Sequence, residues 1–128
     1  MGTGTEIGRV RGLGSAKSGA HHWWMQRLTA GSNLLLMIWF MVSLLRLPGY
    51  DYATITTWLS SPMAAVPMML LIASVFWHFR IGLQVVIEDY QHEEARVVAL
   101  VLLNFYTVAM AGFAIFSILK IAFAGGAA

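Results

Sequence analysis

No cysteine occurs among the 128 residues. Disulfides, thiolate metal sites and cysteine nucleophiles are therefore excluded. Charge is scarce as well: 11% of residues are charged, against about 25% in an ordinary soluble domain. The net charge of +2 is too weak a field for a nucleic-acid partner. Histidine is limited to His21, His22, His78 and His92, so any metal chemistry must draw on these or on carboxylates. The segment from Met1 to Gly19 has Arg and Lys but lacks an apolar core. It does not read as a signal peptide and is expected to stay on the mature chain.

Apolar sequence fills the space that charge leaves. Hydrophobic residues make up 59% of the chain and the mean hydropathy is +0.70, which points to an all-α membrane protein. About 20 apolar residues cross a hydrocarbon core of about 30 Å, and three runs are long enough. The spans are predicted at about 24–45, 63–87 and 97–123. The first opens on Trp23 and Trp24, which suit a membrane interface, and its early turns are polar, with Gln26, Arg27, Thr29, Ser32 and Asn33. Arg46 and Pro48-Gly49 close it. The Tyr50–Pro62 connector predicts a short interfacial segment, and Glu88–Arg96 a short charged loop. Residues 1–20, rich in Gly, Ser and Thr, read as a flexible cytoplasmic tail, residues 21–128 as the three-helix membrane unit, and the final GGAA as frayed.

Three spans put the two termini on opposite sides. Arg9, Arg11, Lys17, Arg27 and Arg96 fall on one side, and Arg46 and Lys120 on the other. That bias of five to two predicts a cytoplasmic N-terminus and a periplasmic C-terminus.

The chemistry-bearing residues cluster around HFRIGLQVVIEDY, His78 to Tyr90. His78 lies inside the second apolar run. Eleven steps at about 100° each return Asp89 to roughly 20° from His78, about 16 Å further along the helix. Gly82, one turn on, leaves room beside the imidazole for something flat and bulky. An intramembrane ionisable group is a candidate functional site. Two readings of His78 stand: a packed core histidine bonded to a carbonyl, or a haem ligand whose second axial partner belongs to another chain. Arg27 reads either as a positive-inside charge or, with His21, as a donor to an interfacial anion such as a haem propionate. Asp89 and Tyr90 read either as a helix end meeting water or as a quinone site, with the Tyr90 phenol donating to a carbonyl that gains charge on reduction. Arg80, about 200° from His78, is expected to snorkel toward the headgroups or to pair with another polypeptide.

HFRIGLQVVIEDY, preceded by HHWWMQRLTA, resembles the smaller membrane anchor of succinate dehydrogenase, respiratory complex II. The His-to-Asp-Tyr spacing, the Gly four residues after the His, the upstream His with Arg six residues later, and the three-span layout all match. The Gly-rich start and the Trp pair resemble alphaproteobacterial members. The resemblance implies that His78 is an axial ligand of haem b, with the opposite ligand from the succinate dehydrogenase cytochrome b subunit, and that His21 and Arg27 face the haem propionates. It implies that Tyr90 hydrogen-bonds ubiquinone beside Asp89. It further implies a non-catalytic anchor in the bacterial inner membrane, surrounded by lipid, for the iron–sulfur and flavoprotein subunits of the tricarboxylic acid cycle enzyme. His22 stands where other members often have an acid, and Arg80 where others carry an aromatic residue. The competing readings are a fumarate reductase anchor and a non-redox membrane scaffold or transporter accessory protein.

Overall fold

The computed structural model describes Thr5 and residues 18–124. The expected flexible tail lies almost wholly outside these residues, as does the final GGAA. Four helices follow in order: α1 (Gly19–Leu45), α2 (Tyr52–Leu59), α3 (Pro62–Tyr90) and α4 (Glu93–Ala124). Among the described residues there is no strand. α1, α3 and α4 are 27, 29 and 32 residues long, and each is apolar enough to cross a membrane. The chain is a multi-pass helical membrane protein.

The helices outrun the apolar runs that betray them. α1 begins at Gly19, five residues before the expected span, so His21 and His22 are already helical. The expected charged loop from Glu88 to Arg96 shrinks to Gln91 and His92. Hydropathy marks the lipid boundary, whereas backbone hydrogen bonding carries a helix beyond it into the headgroup layer. The reversal is tight enough to put Glu93 at φ +51°, a region that residues with a side chain rarely enter. Pro62 opens α3 in the first turn, where its missing N–H costs nothing.

The spans form a layer one helix deep. α3 packs against α1 on one side and α4 on the other, and no Cα of α1 comes within 8 Å of one in α4. Ile81, toward the middle of α3, is the most completely enclosed large side chain among the described residues, 2% exposed.

The interfacial segment expected between Tyr50 and Pro62 is the helix α2, which lies against α3 and α4. Trp58 on α2 stacks on Trp39 of α1, with centroids 6.0 Å apart. Asp51 caps α2, accepting from the Thr54 hydroxyl at 2.6 Å and its amide at 3.2 Å. A Cβ on Gly49 would come within 3.1 Å of that carboxylate, so a larger residue there would press on the cap. The Thr54 hydroxyl, followed by the Thr54 amide, holds the Asp51 carboxyl below its usual value of 3.8. A depressed pKa makes the contribution to stability full above that value and lost as pH falls through the lower folded value. Hydrogen exchange at the Thr54 amide should therefore accelerate in Asp51→Ala at neutral pH. In the wild type it should accelerate only below the ordinary carboxylate range, and Asp51→Asn should stay protected.

Candidate functional site

Two cross-helix contacts fix the depth of every candidate residue. Thr29 lies sixteen residues before the end of α1, and His78 sixteen after the start of α3. The two meet: Thr29 Oγ1 is 3.0 Å from His78 Nδ1. On the other seam the Arg80 guanidinium donates to Asn104 Oδ1 of α4, ten residues before the end of α3 and eleven after the start of α4. Matched counts on both seams mean that α3 runs antiparallel to both neighbours. The start of α1, the end of α3 and the start of α4 therefore share one face of the layer.

His78 is half-buried. Among the described residues its one hydrogen bond is through Nδ1, which leaves Nε2 without a protein partner. A Cβ built on Gly82 would meet nothing within 4 Å, so the space one turn beyond the imidazole is open. A shallow apolar groove of about 390 Å³ runs between α1 and α3 beside it, lined by Met25, Thr29, Ser32, Ser74 and Trp77 among others. One imidazole nitrogen anchored, the other bare and open space alongside are what an axial haem ligand requires. Among the described residues no three His, Asp or Glu side chains come together to hold a bare ion. The other histidines cannot supply a second axial ligand from this chain. His21 and His22 lie seven or eight residues up α1 from Thr29, about 11 Å away in depth, and His92 lies beyond the end of α3.

The remaining candidates are spread out along this face. Tyr90 ends α3, 77% exposed, twelve residues and about 18 Å beyond His78. Asp89 beside it is exposed, and neither side chain makes a hydrogen bond within the described residues. Arg27 does not reach that surface. Two residues from Thr29, it lies near the depth of Arg80, about 15 Å short of Tyr90. It points about 200° away from Thr29, off the α3 seam, with its guanidinium 4.3 Å from the Trp23 ring centroid. His21 is exposed, while His22 buries an Nε2 that has no partner among the described residues. His78, Arg27 and Tyr90 thus occupy three separate positions along the layer.

Arg80 has a partner within the chain. Its 200° offset from His78 aims it at α4, where Asn104 accepts it, and its guanidinium lies 5.4 Å from the Trp77 ring. Asn104 turns its own amide back onto Leu100 O. Thr29 is the residue that sequence reading passed over. Its signal was available: a hydroxyl at the same depth as His78 when the two spans are counted from their shared connector.

Fold and site define a three-span helical membrane protein with His78 half-buried in its central span. The family model described as succinate dehydrogenase/fumarate reductase transmembrane subunit matches residues 1–115. The chain is 38% identical over 85 residues to a succinate dehydrogenase hydrophobic membrane anchor subunit of Rickettsia bellii, covering 66% of this chain and 68% of that protein. It is 31% identical over 100 residues to the protein of that name in Rickettsia felis, covering 77% and 83%. To a succinate dehydrogenase membrane anchor subunit of Reclinomonas americana it is 34% identical over 93 residues, covering 69% and 77%. No solved structure matches the chain. The chain belongs to the succinate dehydrogenase/fumarate reductase transmembrane subunit family, as a succinate dehydrogenase membrane anchor of alphaproteobacterial type.

Proposed function

We propose that this chain anchors a succinate:quinone oxidoreductase in the bacterial cytoplasmic membrane, holds haem b through His78, and binds ubiquinone at Tyr90 and Asp89. The observation that carries the reading is the His78 imidazole, half-buried in a span with Nδ1 engaged and Nε2 bare. A neutral imidazole nitrogen is a haem ligand of the ordinary kind, and the second would come from the cytochrome b subunit of the same complex. Haem bound there would supply a one-electron carrier inside the bilayer. Arg27 and His21 would meet its propionates, Arg27 by swinging round the side of α1. The Tyr90 phenol donates to a quinone carbonyl at the membrane edge, and Asp89 moves protons beside it. The iron–sulfur and flavoprotein subunits dock on the face where α1 starts and α3 ends, which the charge bias of the loops makes cytoplasmic. The relatives are named for succinate dehydrogenase, which favours succinate oxidation over fumarate reduction.

Purification of the tagged chain in mild detergent tests this reading. Three further polypeptides should co-purify, and the reduced-minus-oxidised spectrum should carry cytochrome b bands. A complex with those polypeptides but no haem would remove His78 from the scheme. A chain purified alone, stable and monodisperse, would overturn the whole.

A further inference from the structure

Three polar residues are buried among the described residues: Thr29, Thr56 and Thr107. Two of them behave alike. Thr56 bonds Tyr52 O and Ala53 O, and Thr107 bonds Leu103 O, so each hydroxyl satisfies itself on its own helix. Thr29 does this too, donating to Met25 O at 2.8 Å, with Gln26 O at 3.1 Å. Only Thr29 then makes a second contact across a helix seam, to His78 Nδ1 at 3.0 Å.

The direction of that contact follows from where the hydroxyl proton goes. A threonine hydroxyl has one proton and two lone pairs. Both backbone carbonyls are acceptors, and the shorter one claims the proton. With the hydroxyl proton on Met25 O, what Thr29 offers Nδ1 is a lone pair, and Nδ1 is then the nitrogen that carries hydrogen. In a neutral imidazole the proton is then absent from Nε2, whose lone pair points away from α1. The depth of the pair is fixed separately, since Ser74, one turn before His78 on α3, donates to Thr29 O at 3.3 Å.

We propose that Thr29 is the positioning residue for His78: its hydroxyl accepts Nδ1–H, selects the tautomer with a bare Nε2, and fixes the ring's orientation. This rests on the reading of His78 as an axial haem ligand. An acceptor behind the distal nitrogen raises the basicity of the ligating one, and loss of such a partner typically costs about 10–100-fold in metal affinity. A more basic ligand stabilises the ferric state more than the ferrous, so Thr29 holds the haem potential down.

The test uses the purified complex and a redox titration of the haem. Thr29→Val is nearly isosteric and cannot accept the bond. It should raise the midpoint potential; a tenfold loss of ferric preference corresponds to about 59 mV for one electron. Thr29→Ser should restore the wild-type value. Ser74→Ala loosens the same seam without touching the ring and should leave the potential in place. An unshifted potential in Thr29→Val overturns the proposal, as does an equal shift in Ser74→Ala. Should Thr29→Val fail to assemble, the wild-type complex decides: pulsed electron–nuclear resonance of the ferric haem should show an exchangeable, hydrogen-bonded Nδ1 proton, and its absence overturns the proposal. His78→Ala separates the two levels. Low-spin haem persisting there sinks the axial reading itself, whereas haem lost there with no shift in Thr29→Val sinks only the role of Thr29.

Discussion

His78→Ala should abolish the low-spin haem spectrum of the purified complex. The substitution removes the imidazole whose Nε2 has no protein partner among the described residues, and no other histidine among them lies within about 10 Å of that depth. A haem held there would be left with one axial nitrogen and would turn high-spin or be lost. The helix itself should survive, because His78 is half-buried and α3 remains seated on both neighbours. Thr29 keeps its own intrahelical bonds to Met25 and Gln26, so no hydroxyl is stranded by the change. Succinate–quinone turnover should fall less than the spectrum changes, since Tyr90 is about 18 Å further along α3 and nearer the soluble subunits on the proposed docking face. Optical and electron paramagnetic resonance spectra read the result. A low-spin signal identical to the wild type would show that the iron takes its ligands elsewhere.

Tyr90→Phe should do the reverse, lowering quinone turnover and leaving the haem spectrum unchanged. The phenol has no hydrogen-bond partner within the described residues and is 77% exposed, so removing it costs the fold little. Its proposed bond to the quinone carbonyl strengthens as the oxygen gains charge, and so acts mainly on the reduction step. Loss of one such donor costs about 1–3 kcal/mol, roughly 5- to 150-fold in rate. Succinate oxidation with an artificial acceptor at the flavoprotein should stay at the wild-type rate. Normal quinone turnover with normal apparent affinity in Tyr90→Phe would place the donor elsewhere.

The spans were legible because lipid demands long apolar runs, and His78 stood out because a membrane interior tolerates few ionisable groups. Other features were hidden for physical reasons. The true helix ends at Gly19, Tyr90 and Glu93 lie in polar sequence outside the apolar runs, where hydropathy carries no signal. The separation in depth between Arg27 and Tyr90 depends on the register between spans, which the Thr29–His78 and Ser74–Thr29 contacts supply. Arg80 illustrates what angle can and cannot convey. Its 200° offset from His78 is arithmetic on one helix, but that α4 stands on that side, with Asn104 at the right depth, is a tertiary fact. Thr29 read in sequence only as one of several polar residues in the opening turns of the first span.

The single-layer arrangement bears on how perturbations combine. A globular core lets a change in one wall be felt in the opposite wall, because side chains from every element meet in the middle. Here α1 and α4 do not touch, and at the depth of the two polar contacts α3 alone stands between them. Thr29 and Asn104 each bond a different face of that helix and have no partner in common. Free-energy changes at separated sites of this kind add, and coupling is confined to residues in contact. The chain thus carries two nearly independent thermodynamic ledgers, one for each seam. Evolution can alter the surroundings of Arg80 on the α4 side while leaving His78 on the α1 side undisturbed.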